Sequence, residues 1–554
     1  MKDYLRTVPL FSMLDDAALE SVAQRLEYKR VNKGASVFLA GEPDSSLYII
    51  KSGIVKVVSH YEGEERFILY LGPGDFFGEG AALFGGPHSA SVFVVLDAEL
   101  LLLSHEDVTA LMQQFPAMAL TIIRALHQRL RLSLRSPIQT KQITIIASVG
   151  ASTPLLAQYL GEVTGEEVLL LDLHSSSQAV DREGLTRANV VCEFQPSWSV
   201  EDLPRHLSRC VERYYWVVLW LEPEVHPLTL KAADLADLRV VLGQVERHAA
   251  LRVMSQPLYA DDEPAAIRQL ARKLARRQVG LALSSGNARG MAHIGVLKVL
   301  QEENIPLDFI VGTSAGALFG AMYAAGRRIE EMIEFAFKVR LEYNFLTGFR
   351  NWDFSIPPRW GLIKGNMFLK QLQRLFPDET FEGLKIPFAA VATDLISGEE
   401  IVFERGPLAE ALRASMSVGG FLEPARYEGR LLIDGGAVNP VPVQVLINRG
   451  MNITIVSNVI PTLPERVRWK REQVEKDRAT LIDIILNERE IMEGEIIRSK
   501  MTGVDVLIQP DVARYHVRQY DKAAEIIRAG EQAARLHIPK IRKLLAPRPR
   551  KEYA

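Results

Sequence analysis

The stretch Gly312-Thr313-Ser314-Ala315-Gly316 limits most sharply what this chain can fold into. It follows Leu307-Asp308-Phe309-Ile310-Val311, a short apolar run that reads as a buried strand, and precedes the Ala-rich segment from Ala317 to Ala325, which reads as a helix. A serine between two glycines at a strand-to-helix junction is the nucleophile-elbow pattern. The backbone turns so sharply there that a side chain larger than hydrogen on either side would clash, and the serine hydroxyl is held out at the strand's end. The helix behind it aims free N–H groups and its dipole at any negative charge formed beside Ser314.

With 554 residues, the chain exceeds what one core supports, and several domains are expected. A formal net charge of −3 with 24% charged residues gives no overall electrostatic case for nucleic acid, and none is expected as a partner. Met1-Lys2-Asp3-Tyr4-Leu5-Arg6 is not followed by an apolar signal region, and no window is long and apolar enough for a membrane span, so a cytoplasmic location is expected. The two cysteines, Cys192 and Cys210, are expected as free buried thiols, and no Cys/His cluster has metal-ligand spacing.

Residues 1–138 begin with short alternating strands punctuated by Gly53, Gly72 and Gly74: Ser36–Leu39, Ser46–Ile50, Ile54–Val58, Phe67–Tyr70 and Ser91–Val95. A helical pattern from Leu111 to Leu134 closes this antiparallel roll. Val8-Pro9-Leu10-Phe11, Gly41-Glu42-Pro43, Ser52-Gly53 and the run Phe77-Gly78-Glu79-Gly80-Ala81-Ala82-Leu83, followed by Pro87-His88-Ser89-Ala90-Ser91-Val92, resemble the cyclic-nucleotide-binding domain. That resemblance implies that Glu79 holds the ribose 2′-hydroxyl and that the amides around Gly78, Gly80 and Ala81 hold the cyclic phosphate, with His88 and Ser89 beside it. The sequence departs from the family at His88, where an arginine is usual. A neutral imidazole lacks the bidentate fork that suits a phosphate. Two readings stand: a cyclic nucleotide effector site, or a fold kept for docking or oligomerisation.

Residues 139–276 alternate strand and helix patterns, with strands at Ile143–Ala147, Val168–Asp172, Trp216–Leu221, Leu238–Leu242 and Leu251–Met254, as in a small α/β layer domain. The loop Ser148-Val149-Gly150-Ala151-Ser152-Thr153-Pro154 lies where a phosphate-binding loop would, but without its lysine. A degenerate nucleotide-binding fold acting as a spacer is expected. A strand pattern directly after the roll's helix leaves no place for the helix-turn-helix of a transcription regulator.

Residues 277–540 open with strand Val279–Leu283, then the loop Ser284-Ser285-Gly286-Asn287-Ala288-Arg289-Gly290 and a helix from Met291 that carries His293. Such a loop presents a row of backbone N–H groups suited to an anion. Asp434-Gly435-Gly436 follows strand Arg430–Ile433. Loop, elbow serine and strand-end carboxylate together supply the oxyanion hole, nucleophile and base that acyl transfer needs. In this order they resemble the patatin-like phospholipase family, with supporting matches at Gly361–Gly365, Ala392–Leu395, Ala411–Ser415, Asn439–Pro442 and Asp521–Ala524.

The resemblance implies a Ser314–Asp434 dyad without histidine, the elbow glycines Gly312 and Gly316, and an oxyanion hole from the amides of Gly286, Asn287, Ala288, Arg289 and Gly290. No metal or other cofactor is required by this chemistry. The family's GGGxRG loop is altered at Ser285 and Asn287, although backbone donors survive either change and Asn tolerates positive φ. After Asp434 only His516 and His537 are available to a histidine triad.

Tyr343, Phe345, Phe349, Trp352, Phe354 and Trp360, interspersed with Arg340, Arg350 and Arg359, read either as a hydrophobic cap or as a lid or interfacial patch. The charged run Arg466 to Arg478, which leads into a helix from Leu481 to Lys500, reads as a solvated helix surface, and residues 541–554 as a basic tail. The fold class expected is thus multidomain: a cyclic-nucleotide-binding β-roll, an α/β spacer and a patatin-like α/β domain. This combination resembles the bacterial side of the neuropathy target esterase family. It implies a serine esterase of lipid degradation acting on phospholipid or lysophospholipid, with peripheral contact at the inner face of the membrane. A lipid- or nucleotide-binding scaffold with an impaired catalytic core is the alternative.

Overall fold

The computed structural model describes residues 1–11, 14–61, 64–115, 118, 122, 143–176, 178, 180–196, 198–210, 213–244, 256–342, 353–357, 360–462 and 481–547. The chain divides into two compact units, one formed by Met1–Ala271 with the residues from Pro547, the other by Arg272–Ala546.

The first unit holds two sheets. In the antiparallel roll, the strand Leu47–Tyr61 runs unbroken through Gly53, where a turn is expected from the sequence, and pairs with Ser91–Leu103 across register shifts. Gly53 is a bulge rather than a turn: its φ is +95°, and a Cβ there would lie 2.4 Å from the Asp97 carbonyl. Two strands had no sequence expectation, Glu27–Val31 and Phe76–Phe77. The helix expected over Leu111–Leu134 is seen as His105–Gln114, capped by Ser104, and most of the remainder lies outside the described residues.

The second sheet of this unit is wholly parallel, with spatial order Leu258–Ala260, Leu238–Leu242, Thr144–Val149, Trp216–Leu221, Val168–Asp172, Val190–Phe194. Residues 251–254, expected as a strand, lie outside the described residues. Roll and parallel sheet share apolar packing: Ile54 and Leu96 join the core that contains Ile145, Leu169 and Val217. The Gly53 amide donates to Ser208 Oγ at 2.8 Å, and Arg205 pairs with Glu99 at 2.9 Å.

In the second unit the central strands Val279–Leu283, Phe309–Thr313, Phe388–Asp394 and Ile453–Ser457 are buried along their whole length, as expected of parallel strands covered on both faces. The sheet runs in the order Ala425–Tyr427, Arg430–Asp434, Phe388–Asp394, Phe309–Thr313, Val279–Leu283, Ile453–Ser457, Val506–Ile508. Strand Arg430–Asp434 pairs antiparallel with Phe388–Asp394, placing Asp434 opposite Ala392. Phe388–Asp394 lies parallel to Phe309–Thr313 on its other side. One strand therefore separates the strand that ends at the elbow from the strand that ends at Asp434. A further two-stranded sheet pairs Gly361–Ile363 with Gly420–Leu422. Among the described residues no helix is long and apolar enough to cross a membrane.

Candidate active site

Ser314 stands between strand Phe309–Thr313 and helix Ala315–Ala324 with φ +54° and ψ −118°, a conformation that a non-glycine residue holds only when its surroundings enforce it. They enforce it through its glycines. A Cβ at Gly312 would lie 2.4 Å from the Gly316 carbonyl oxygen, and one at Gly316 2.4 Å from that of Leu283. The Ser314 amide donates to Ser415 Oγ at 3.0 Å, and Ser415 in turn donates to the Val391 carbonyl at 2.6 Å.

The strained turn aims the hydroxyl at one carboxylate. Ser314 Oγ donates to Asp434 Oδ2 at 2.6 Å, and both residues are buried, at 4% and 1% exposed. The other oxygen, Asp434 Oδ1, accepts the Gly436 amide at 2.8 Å and Arg489 Nη2 at 2.6 Å. Arg489 belongs to helix Leu481–Lys500, and its Nε donates to Glu493 Oε1 at 2.9 Å. Burial disfavours charge on Arg489, but the carboxylates of Asp434 and Glu493 more than offset it, so the guanidinium holds its proton above the usual range. Burial also pushes the Glu493 carboxyl up, against the pull of Arg489.

The described hydrogen bonds to the Asp434 carboxylate come from Ser314, Gly436 and Arg489, with no histidine among them. His293 is fully buried between Ser457 Oγ, 2.8 Å from Nδ1, and the Ser284 carbonyl, 2.9 Å from Nε2. Burial lowers its pKa to about 4, so the ring is a neutral pin between two strand ends. His516 accepts the Arg518 amide, and His537 lies within hydrogen-bond distance of the Ala533 carbonyl on its own helix.

The anion loop is a short 3₁₀ turn over Asn287–Met291. Asn287 takes φ +51°, which Asn accepts at small cost. Not every amide of the expected row faces an anion. The Ala288 amide donates to the Val517 carbonyl, which holds the loop to the segment behind it, and the Arg289 amide closes the turn on the Gly286 carbonyl, both at 3.1 Å. Gly290 touches the elbow, since a Cβ there would lie 2.4 Å from that of Ala315. The Gly286 and Asn287 amides have no acceptor among the described residues. The Arg289 guanidinium is taken up by Glu490, with which it pairs, and donates from Nε to the Tyr515 carbonyl at 2.7 Å.

Asn287, Ser314 and Ala315 share the wall of a pocket of about 480 Å³, whose lining is mostly apolar and includes Phe319, Phe335 and Phe368. That size is usual for a ligand site. Ala315 is the first residue of its helix, so its N–H has no intrahelical partner. Lys370 and Arg374 line the same pocket from helix Asn366–Leu375. Phe421, also in the lining, is 38% exposed and sits across the small sheet from Leu362. Arg489 and Glu493 carry no local signal in the sequence and have no counterpart among the expected site residues. Ser415 lies within a quoted motif but without an assigned role.

In the roll, Glu79 is buried in the first turn of the short helix Glu79–Phe84, behind Gly78 at φ +81°. Gly80 and Ser89 are exposed, and Ala81 is buried. His88 is buried and stacks on Phe38 with ring centroids 3.4 Å apart. Its Nε2 lies 3.8 Å from Asp44 Oδ2. Burial lowers the His88 pKa, against the opposite pull of Asp44. In the spacer, burial raises the pKa of both thiols, and Cys192 is only half-buried where full burial is expected.

Residues 281–447 match the family model of the patatin-like phospholipases, and residues 28–115 that of the cyclic nucleotide-binding domain. An uncharacterised NTE family protein of Mycobacterium tuberculosis is 26% identical over 96% of this chain and 95% of its own length. An NTE family protein of Mycobacterium bovis is 38% identical over 35% of this chain and 51% of its own length. Patatin-like phospholipase domain-containing protein 6 of Mus musculus is 24% identical over 78% of this chain, which spans 38% of the mouse protein. The chain therefore joins an N-terminal cyclic nucleotide-binding domain to a C-terminal patatin-like phospholipase domain, and along nearly its whole length it is similar to an NTE family protein.

Proposed function

We propose that the protein is a serine carboxylic ester hydrolase that deacylates phospholipid or lysophospholipid through the Ser314–Asp434 dyad. The observation that carries this reading is the 2.6 Å bond from the strained Ser314 hydroxyl to Asp434, at the wall of an apolar pocket of about 480 Å³. Asp434 takes the Ser314 proton as Oγ attacks the acyl carbonyl. In this reading the Asn287 and Ala315 amides, which line the same pocket as Ser314, hold the oxyanion. Asp434 gives the proton to the departing alcohol, then takes one from water, whose hydroxide attacks the acyl-enzyme; as the acyl C–O bond breaks, Asp434 passes that proton to Ser314 Oγ and the fatty acid is freed.

The pocket's character supports an acyl chain inside, and Lys370 and Arg374 supply cations for a phosphate outside. Ile356, Trp360 and Leu362 expose 88%, 49% and 41% of their surface near the small sheet, which supports peripheral contact with a lipid surface. The aromatic residues 343–352 lie outside the described residues. For the roll, a cyclic nucleotide is the effector proposed, and the uncharged His88 implies weak phosphate affinity.

A fluorophosphonate probe tests the central claim. It should label the wild-type protein at Ser314, while Ser314→Ala and Asp434→Asn should lose both labelling and hydrolysis of a short-chain p-nitrophenyl ester with melting behaviour retained. Full turnover in Ser314→Ala would overturn the assignment. A wild-type protein that is folded but unlabelled would favour the scaffold reading.

A further inference from the structure

We infer that Arg489 is a positioning residue for the base: its guanidinium bridges Asp434 and Glu493 and fixes the rotation of the carboxylate that turns an oxygen to Ser314. The inference rests on the dyad proposed above and extends it to a helix outside the family-matched segment, which ends at residue 447.

A carboxylate base has two equivalent oxygens and one free rotation, so an unrestrained aspartate would share its time between productive and unproductive poses. Here Oδ1 is occupied by Arg489 Nη2 at 2.6 Å and the Gly436 amide at 2.8 Å, which leaves Oδ2 for Ser314. The bridge is tightly enclosed. A Cβ at Gly436 would fall 2.5 Å from Glu493 Oε1 and 2.7 Å from Arg489 Nη2, so a larger residue at 436 would push the bridge away from the base.

The charge balance follows from the same geometry. A lone arginine against Asp434 would hold the carboxylate ionised but make it a poor proton acceptor. Glu493, on the far side of Arg489, accepts from the same guanidinium at 2.9 Å, so the cation is shared between two carboxylates rather than spent on Asp434 alone. The charged groups facing Asp434 are Arg489 and Glu493 from the helix. Arg289 and Glu490 pair with each other beside them, and Asp394 on the adjoining strand is paired with Arg430. Gly286, Asn287, Arg289, Arg489, Glu490 and Glu493 all line one small cavity of about 20 Å³, so the bridge and the anion loop share a wall.

Steady-state kinetics of the full chain on a water-soluble ester test this. Arg489→Met should lower kcat about 100-fold with KM unchanged, the scale of a misoriented catalytic group. The acid limb of its kcat/KM profile should move to higher pH, because the base loses a cation. Glu493→Gln should move that limb to lower pH, because the Arg489 charge is then uncompensated. Arg489→Lys keeps the charge but cannot bridge two carboxylates, and it should lower kcat while melting near the wild-type temperature. If Arg489→Met fails to fold, the Glu493→Gln and Arg489→Lys measurements decide the matter. An acid limb that stays in place in Glu493→Gln, or an unchanged kcat in Arg489→Lys, overturns the inference while leaving the hydrolase reading intact. An inactive, unlabelled wild type overturns that reading and this one with it.

Discussion

Thr313 Oγ1 donates to the Asn439 carbonyl at 2.9 Å, which ties the residue before Ser314 to the loop five residues beyond Asp434. Both residues are buried, so the bond is shielded from water, and the spacing of the dyad depends on a link that contains neither of its members. Thr313→Val, equal in shape but without the donor, should cost about 1–3 kcal/mol of stability through the unmet Asn439 carbonyl. It should also lower kcat with little change in KM. Chemical denaturation together with steady-state kinetics would show whether both effects occur.

The elbow glycines offer a harsher test. Gly316→Ala would place a methyl 2.4 Å from the Leu283 carbonyl oxygen and 2.5 Å from that of Ser284, with backbone on every side and no flexible group to yield. We expect loss of fluorophosphonate labelling and a drop in stability of about 3 kcal/mol or more, at the upper end of overpacking costs. Thermal melts and probe labelling, run side by side, would measure these.

His293 sets an acid limit. Its folded pKa is about 4 against an ordinary 6.5, so between these values the unfolded chain binds more protons than the native one. Stability is fully present above about pH 6.5 and falls as pH drops toward 4, by about 3 kcal/mol from this group alone. In His293→Gln this part of the slope should vanish, although the variant starts from a lower plateau. Denaturation midpoints of the two proteins across that pH range would reveal the difference.

Asp308 is buried, and its carboxylate accepts from both Arg272 Nε and Nη2, the closest contact at 2.6 Å, and from the Val279 amide at 2.8 Å. The pair fixes the start of the two central strands. Asp308→Ala would strand a guanidinium and an amide in the interior, with an expected loss of about 3–5 kcal/mol. Urea unfolding of the variant would give the value directly.

The exposed face of the small sheet predicts a difference between substrates. Leu362→Ser and Trp360→Ser should leave turnover of a soluble ester close to wild type while lowering activity on anionic phospholipid vesicles and co-sedimentation with them. Equal losses on both substrates would speak against a lipid-facing role. For the roll, melting temperatures with cyclic AMP, cyclic GMP and a cyclic dinucleotide measure the effector directly. The rise should be larger in His88→Arg, where a guanidinium replaces the neutral ring.

The legibility of this molecule in its sequence follows physical lines. Gly312, Ser314 and Gly316 are readable because a sharp turn leaves a short, local steric signature, and Asp434 because glycines crowd the end of its strand. Buried strands such as Phe388–Asp394 show as apolar runs. Strand Glu27–Val31 does not, because four of its five residues face solvent and Glu-Tyr-Lys-Arg offers no alternation. Gly53 misleads in the other direction, since a bulge and a turn call for the same residue. Arg489 and Glu493 were hidden most completely. Their partner lies 55 residues away for Arg489, and on a helix rich in both signs of charge nothing local separates a buried pair from a solvated one.

The antiparallel strand that ends in Asp434 carries one last implication. Side chains alternate sides along a strand, so a slip of one residue against Phe388–Asp394 would send that carboxylate to the opposite face and put Ile433 beneath the hydroxyl. Under the proposed dyad, ester turnover would serve as a gauge of correct assembly: a refolded sample should regain it only in molecules whose sheet has found its native alignment, and the recovered fraction should count them.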